Sequence, residues 1–213
     1  MIDTTDPEAP DRRAPYWFRY SDGGPTWRSP SRRPPGEELA ALRSGEGREP
    51  FTVPAMWPYL TQVAEPDRYA SPRSDRFSPP PSVVAEHHAL VIFGIHQQSQ
   101  SLPVHRTGAG VGEAVKRLHR TGRFNEAAVD RRFHATVTAD SLGEMAHHLR
   151  GLLRQLRSVS GITGLDYQML FIDVLRWQDP RQRDRVRRRW GWGYHAFERS
   201  DEGQTDLDTA PAT

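Results

Sequence analysis

The 213-residue sequence contains no cysteine. That absence removes a disulfide framework, a thiolate zinc site and a thiol nucleophile from the available chemistry. Lysine is nearly missing as well, since Lys116 is the only one and every other base is arginine. Apolar runs are short. The longest, Ala89 to Ile95, spans seven residues, well under the roughly 20 that a membrane-crossing helix needs. The opening residues, Met1-Ile-Asp-Thr-Thr-Asp, carry neither the basic nor the apolar stretch of a signal peptide. The expectation is a soluble, cytoplasmic protein without membrane contact. No stretch alternates apolar and polar residues over more than a few positions, which argues against strands. Proline is scarce in the second half, because fifteen of the 18 prolines fall within residues 1–81.

What is present divides the chain by charge. Hydrophobic residues are 36% of the total and the mean hydropathy is −0.75, so part of the length cannot join a core. Residues 1–11 hold four acids and no base, and residues 198–213 hold five acids against Arg199. The stretch 12–197 therefore carries a net charge of +10, although the whole chain is only +2. Acidic ends around a basic body point to a surface that faces a polyanion. A charged, merely solvated surface and a GC-rich coding bias toward arginine account for the same excess. The balance alone therefore decides nothing.

Residues 1–36, with seven prolines, read as a disordered or extended arm. The aromatic cluster Tyr16 to Tyr20 within it has three readings: stacking on bases, docking into a partner subunit, or folding back on its own core. From residue 37 the signals are helical. Helices are expected over Glu37–Arg43, Val53–Val63 with Thr52 as N-cap, Val83–Gln98 with Ser82 as N-cap, Val111–Arg120, Glu126–Ala139, Ser141–Arg157, Leu165–Gln178 and Pro180–Phe197. Residues 65–82 read as an irregular Pro-rich loop. The fold class is all-α, a helical bundle of about seven to eight helices with a Pro-rich N-terminal arm and an acidic C-terminal tail. The body is residues 37–198, either one unit or two lobes of about 37–105 and 106–198. Residues 199–213 read as an acidic disordered tail.

Two segments show where the charge points. In Ser141–Arg157 the apolar set Leu142, Met145, Ala146, Leu149, Leu152, Leu153 and Leu156 makes one stripe, with Arg150, Arg154 and Arg157 opposite. In the last segment Val186, Trp190, Gly193, Tyr194 and Phe197 form the buried face, and Arg181, Arg185 and Arg188 line another. Rows of guanidinium groups suit phosphate oxygens and release counterions. They also satisfy helix C-terminal carbonyls and pair with acids. Phe133, Trp177 and Trp190 read as core.

Catalytic and metal sites are not legible. His87 with His88, and His147 with His148, are adjacent pairs that diverge around a helix, and no His-Glu-x-x-His pattern occurs. Asp166 reads as a helix-start residue and Asp173 as the partner of an arginine. Gly108, Gly110 and Gly112 lack both the following Lys-Ser/Thr and a preceding strand, so a turn between helices explains them better than a phosphate loop. No cofactor, metal or catalytic residue is expected.

The order of segments resembles the small subunit of the type I-E CRISPR Cascade complex, the CasB family, from about Glu37 to Phe197. The resemblance is carried by Leu42-Arg43, Trp57, Ile95-His96-Gln97-Gln98, Val111-Gly112-Glu113-Ala114-Val115, Gly122-Arg123 and Arg131-Arg132-Phe133. It continues through Leu149-Arg150 with Leu152-Leu153, Asp173 to Trp177, and Val186-Arg187-Arg188-Arg189-Trp190. The long N-terminal arm, the 65–82 loop, Ser44 and Gly151 depart from it. The resemblance implies a non-catalytic helical subunit, present as a homodimer beside the backbone and large subunits of Cascade. It would meet guide RNA and the target and non-target DNA strands, and hold open the R-loop, chiefly through the displaced strand. Arg43, Lys116, Arg120, Arg123, Arg131, Arg132, Arg150 and Arg154 are the residues expected to supply the nucleic-acid surface, with only one of Arg131 and Arg132 facing it fully. The alternative is a helical protein–protein adaptor within a nucleoprotein complex, without direct DNA contact.

Overall fold

The apolar run Ala89 to Ile95 becomes the axis of the molecule. In the computed structural model, which describes residues 11–62, 78–159 and 164–205, with side chains as far as Ala196, it forms the centre of a long helix. The elements in chain order are α1 (Tyr16–Arg19), α2 (Gly36–Arg43), a 3-10 helix (Pro54–Tyr59), α3 (Pro81–Gln97), α4 (Val111–Arg120), α5 (Glu126–Thr138), α6 (Leu142–Arg157), α7 (Tyr167–Trp177) and α8 (Pro180–Thr205). Among the described residues there is no strand, only the isolated bridges Ser29–Arg32 and His105–Leu165. The all-α architecture is as expected.

α3 packs against α2, α6 and α7, which is why nearly every one of its side chains is buried. A helix apolar on all sides can only sit inside a bundle. α4 packs along α8, α5 along α6, and α7 touches α8, so one continuous set of buried residues runs from Tyr16 to Tyr194. Two glycines set the closest crossings. A Cβ at Gly94 would lie 2.9 Å from the Leu42 Cβ, where α2 meets α3. A Cβ at Gly112 would run into the Trp190 carbonyl oxygen, so α4 and α8 touch backbone to backbone.

Side-chain caps fix several starts. Asn125 Oδ1 accepts from the Ala128 N–H at 2.9 Å, Ser141 Oγ from the Glu144 N–H at 3.1 Å, and Asp166 Oδ1 from the Met169 N–H at 3.0 Å. Glu113 reaches back to accept the Gly110 N–H at 2.8 Å.

Four expectations change. The segment Val53–Val63 shortens to a 3-10 turn over Pro54–Tyr59, because Pro58 has no N–H to continue an α-helix, and Val63 lies outside the described residues. α3 begins at Pro81 after Pro80 rather than at a Ser82 cap, using proline where a helix start accepts it. The largest change concerns the N-terminal arm. Its described part carries α1, whose Tyr16 and Trp17 are buried together with Tyr20. The Tyr16 and Tyr20 hydroxyls both donate to Glu38 Oε2, at 2.6 and 2.9 Å, and Trp17 lies beside the rings of Tyr167 and Phe171. Large aromatic rings bury enough area to hold a four-residue helix that propensity alone does not support. α8 also runs on to Thr205, past Phe197, whose side chain lies outside the described residues.

Candidate nucleic-acid interface

Four exposed arginines flank the corner between α4 and α5. Arg120 is the last residue of α4, Arg123 lies in the turn, and Arg131 and Arg132 follow in the second turn of α5. All four are exposed. The corner is held from within. The Thr121 hydroxyl donates to the Leu118 carbonyl at 2.7 Å, Thr121 Oγ1 accepts the Arg123 N–H at 3.3 Å, and Gly122 takes φ +62°. A left-handed residue at that point ends α4 and turns the chain, and Asn125 then starts α5. The adjacent pair diverges as helix geometry requires. Arg132 lies over α6, where its guanidinium covers Gly151. Acids are close by as well: Glu126 lies 3.8 Å and Asp130 3.5 Å from His119 Nε2.

The rest of the expected set is held more tightly. Lys116 is buried, with its ammonium 5.2 Å from the centre of the Tyr194 ring. Arg43 is partly buried and reaches the Gly94 carbonyl at 3.5 Å. Arg150 is only 8% exposed, with its Nε 3.3 Å from Glu46 Oε1. Burial lowers its pKa and the Glu46 charge opposes that shift. Arg154 pairs with the same carboxylate oxygen, but its side chain is 47% exposed. Arg157 donates to Gln98 Oε1 at 2.6 Å. Arg150 and Arg154 thus face the loop after α2 while Arg157 faces the end of α3, and sequence reasoning had no signal for Glu46, more than a hundred positions away from Arg154.

α8 sorts its arginines by direction. Arg183 and Arg187 lie 5.9 and 5.4 Å from the Trp177 ring and donate to the Asp140 and Ala139 carbonyls at 3.0 and 2.9 Å. Arg189 pairs with Asp173, as anticipated for that acid. Arg181, Arg185 and Arg188 stay exposed on the outer face. Trp192, which sequence reasoning passed over, stands four residues beyond Arg188 on the same face; that spacing was the available signal.

The remaining polar groups of the interior have structural duties. Asp166 joins the α7 cap to the Gly108 N–H at 2.7 Å, so the glycine turn is held by that carboxylate. His96 pairs with the Tyr167 hydroxyl at 2.9 Å and His87 with the Gly45 carbonyl at 3.2 Å. Burial lowers the pKa of His87 and His105, and pushes that of His88 down to about 4. Among the described residues no three histidine or carboxylate groups gather as a metal site, and no helix is long and apolar enough to cross a membrane.

Residues 38–195 match the family model described as CRISPR-associated protein Cse2. The crystal structure of CasB from Thermobifida fusca is similar, with 28% identity and a TM-score of 0.57 over 75% of this chain and 84% of that one. CasB from M. ruber shares 20% identity with a TM-score of 0.57, over 81% of this chain and 91% of that one. A Cse2-family CRISPR-associated protein from Thermus thermophilus shares 22% identity with a TM-score of 0.52, over 75% and 86%. At those identities the last two speak to the fold alone. No curated protein matches the sequence.

Proposed function

The chain belongs to the Cse2 (CasB) family of CRISPR-associated proteins, and on that premise we propose that it is a non-catalytic subunit of an RNA-guided type I-E Cascade complex. Its work there is to grip the sugar-phosphate backbone and stabilise the R-loop, chiefly through the displaced non-target strand, in antiviral defence. Exchanging a DNA duplex for an RNA–DNA duplex is nearly balanced, so modest backbone contacts tip it. Base pairing reads the sequence, which leaves the protein to hold phosphates without regard to base.

The observation that carries this reading is the α4–α5 corner, where Arg120, Arg123, Arg131 and Arg132 stand exposed on a braced turn. Arg132 over Gly151 extends the charge toward the exposed Arg154 on α6. Arg43, Lys116 and Arg150 contribute to the field from partly or fully buried positions. The partners in this reading are the guide RNA, both target DNA strands, the backbone and large subunits of Cascade, and a second copy of the chain, in the cytoplasm.

One observation favours the adaptor reading instead: Arg150, Arg154, Arg183, Arg187 and Arg189 are tied to acids or carbonyls within the chain. The assembled complex separates the two. Replacing Arg120, Arg123, Arg131 and Arg132 with glutamine should weaken target-DNA binding. It should also flatten the dependence on log salt by several times the roughly 0.7–0.9 expected per phosphate contact. An unchanged affinity and slope leaves the adaptor.

A further inference from the structure

We propose that the outer face of α8 is a second nucleic-acid contact, specific for single strands, in which Trp192 stacks on a base while Arg181, Arg185 and Arg188 hold the backbone. It rests on the reading that the chain binds nucleic acid at all, and goes beyond it in place and in chemistry. Positions 181, 185, 188, 192 and 195 follow steps of four, three, four and three. They therefore form one stripe along the helix, and all five are exposed. From Arg181 to Trp192 the stripe is about 16 Å long at about 1.5 Å per residue. Trp192 is 68% exposed, the most exposed large apolar side chain among the described residues.

Neighbouring arginines show that exposure here is selective. The three that turn inward are engaged by Trp177, by the Ala139 and Asp140 carbonyls and by Asp173. Asp184 is the only acid between positions 181 and 195, and it pairs with Arg187 at 3.3 Å rather than with the stripe. A Cβ at the adjacent Gly191 would meet nothing within 4 Å, so no other part of the described chain covers the helix at that position. On the other side Gly193 lets the helix sit against α4, so the face opposite the stripe is anchored. A cationic row ending in an exposed indole complements a ligand that is both polyanionic and aromatic. A duplex keeps its bases stacked within itself, and only an unpaired strand offers one to the indole. An acidic protein partner would have to place an aromatic ring beside its carboxylates to match both features, whereas every nucleotide of a single strand carries a phosphate and a base together.

The test measures the full-length chain against a labelled oligothymidylate and a duplex of equal length by fluorescence anisotropy at several salt concentrations. Trp192→Ala should weaken oligothymidylate binding about tenfold, leave duplex binding alone and keep the salt slope. Trp192→Phe should restore most of the affinity. Changing Arg181, Arg185 and Arg188 together to glutamine should reduce the slope by about 2. Oligothymidylate binding that Trp192→Ala leaves intact overturns this proposal and spares the wider one, whereas a wild-type chain that binds no oligothymidylate overturns both. Unchanged DNA binding with loss of assembly into the larger complex would mark the face as a protein interface, and also overturn the proposal. The exposure of Trp192 means that the alanine variant should keep its far-ultraviolet circular dichroism, which verifies the fold.

Discussion

Trp190 donates its indole N–H to Asp173 Oδ2 at 2.7 Å in the middle of the contact between α7 and α8. Arg189 pairs with the other oxygen, and Trp190 stacks on Trp177 with ring centres 5.5 Å apart. A buried carboxylate is tolerated only when its lone pairs are satisfied. Here two consecutive residues of one helix satisfy it, and the register of α8 on α7 is set by that pair.

Removing Asp173 should therefore cost more than its small volume implies. Asp173→Ala leaves a buried indole N–H and the partly exposed Arg189 guanidinium without their acceptor, a loss of about 1–3 kcal/mol. Asp173→Asn keeps an acceptor and should lose less. Urea unfolding followed by far-ultraviolet circular dichroism measures both. Equal midpoints for Asp173→Ala and the parent protein would show that the carboxylate does not hold the two helices together.

Glu46 offers a sharper contrast, because it meets one buried and one exposed arginine. Glu46→Gln should destabilise the protein by about 2–4 kcal/mol, since Arg150 then keeps its charge in a buried position without a counterion. Arg154→Gln should cost less than about 1 kcal/mol, as an exposed ion pair does. In the assembled complex Glu46→Gln should also strengthen binding to DNA, because it removes the acid that neutralises this end of α6. Matching losses of stability in the two variants would contradict the division between buried and exposed partners.

The helical body was legible because its periodicity is strong. The steps of three and four in α6 predict all of its buried apolar residues, and Ser141 and Asp166 stand at the helix starts where their side chains cap the backbone. Local rules failed where tertiary contacts decide. Tyr16, Trp17 and Tyr20 sit in a Pro-rich segment with no period, and the Glu38 carboxylate and the rings of α7 hold them. The arginine rows were visible, but their directions were not. Arg150 lies on the expected row and is nevertheless buried, since the loop carrying Glu46 folds over it. Which cations remain for a ligand depends on acids distant in sequence, and no spacing along one helix encodes them.

Acid should weaken the fold through its buried imidazoles. His88 is pushed down to about 4 chiefly by burial, with His87 and Arg150 adding repulsion, and burial also lowers His87 and His105. In the unfolded chain these groups titrate near about 6.5. Between about 6.5 and 4 the unfolded chain binds protons that folded His88 refuses, so stability falls as pH drops through that window. Above it the group contributes no slope. The slope from one histidine is at most about 1.4 kcal/mol per pH unit. His88→Gln should flatten the fall in urea midpoint between pH 7 and 5, and a profile parallel to the parent would remove His88 as a source.

The crossing of α4 and α8 can be tested with a single methyl group. At Gly112 an added Cβ meets the Trp190 carbonyl, a backbone atom that moves only if α8 moves. Gly112→Ala should destabilise by more than the roughly 1–3 kcal/mol typical of overpacking around movable side chains. At Gly143, in the first turn of α6, an added Cβ meets nothing within 4 Å. Gly143→Ala should stabilise by about 0.5–1 kcal/mol, because alanine gives up less backbone freedom on entering a helix. Thermal midpoints that rise for Gly143→Ala and drop for Gly112→Ala are the expected pair. A rise for Gly112→Ala would mean that the two helices do not touch there, and the placement of Tyr194 over Lys116 and beside Phe133 would fall with it, since both rely on the same close approach.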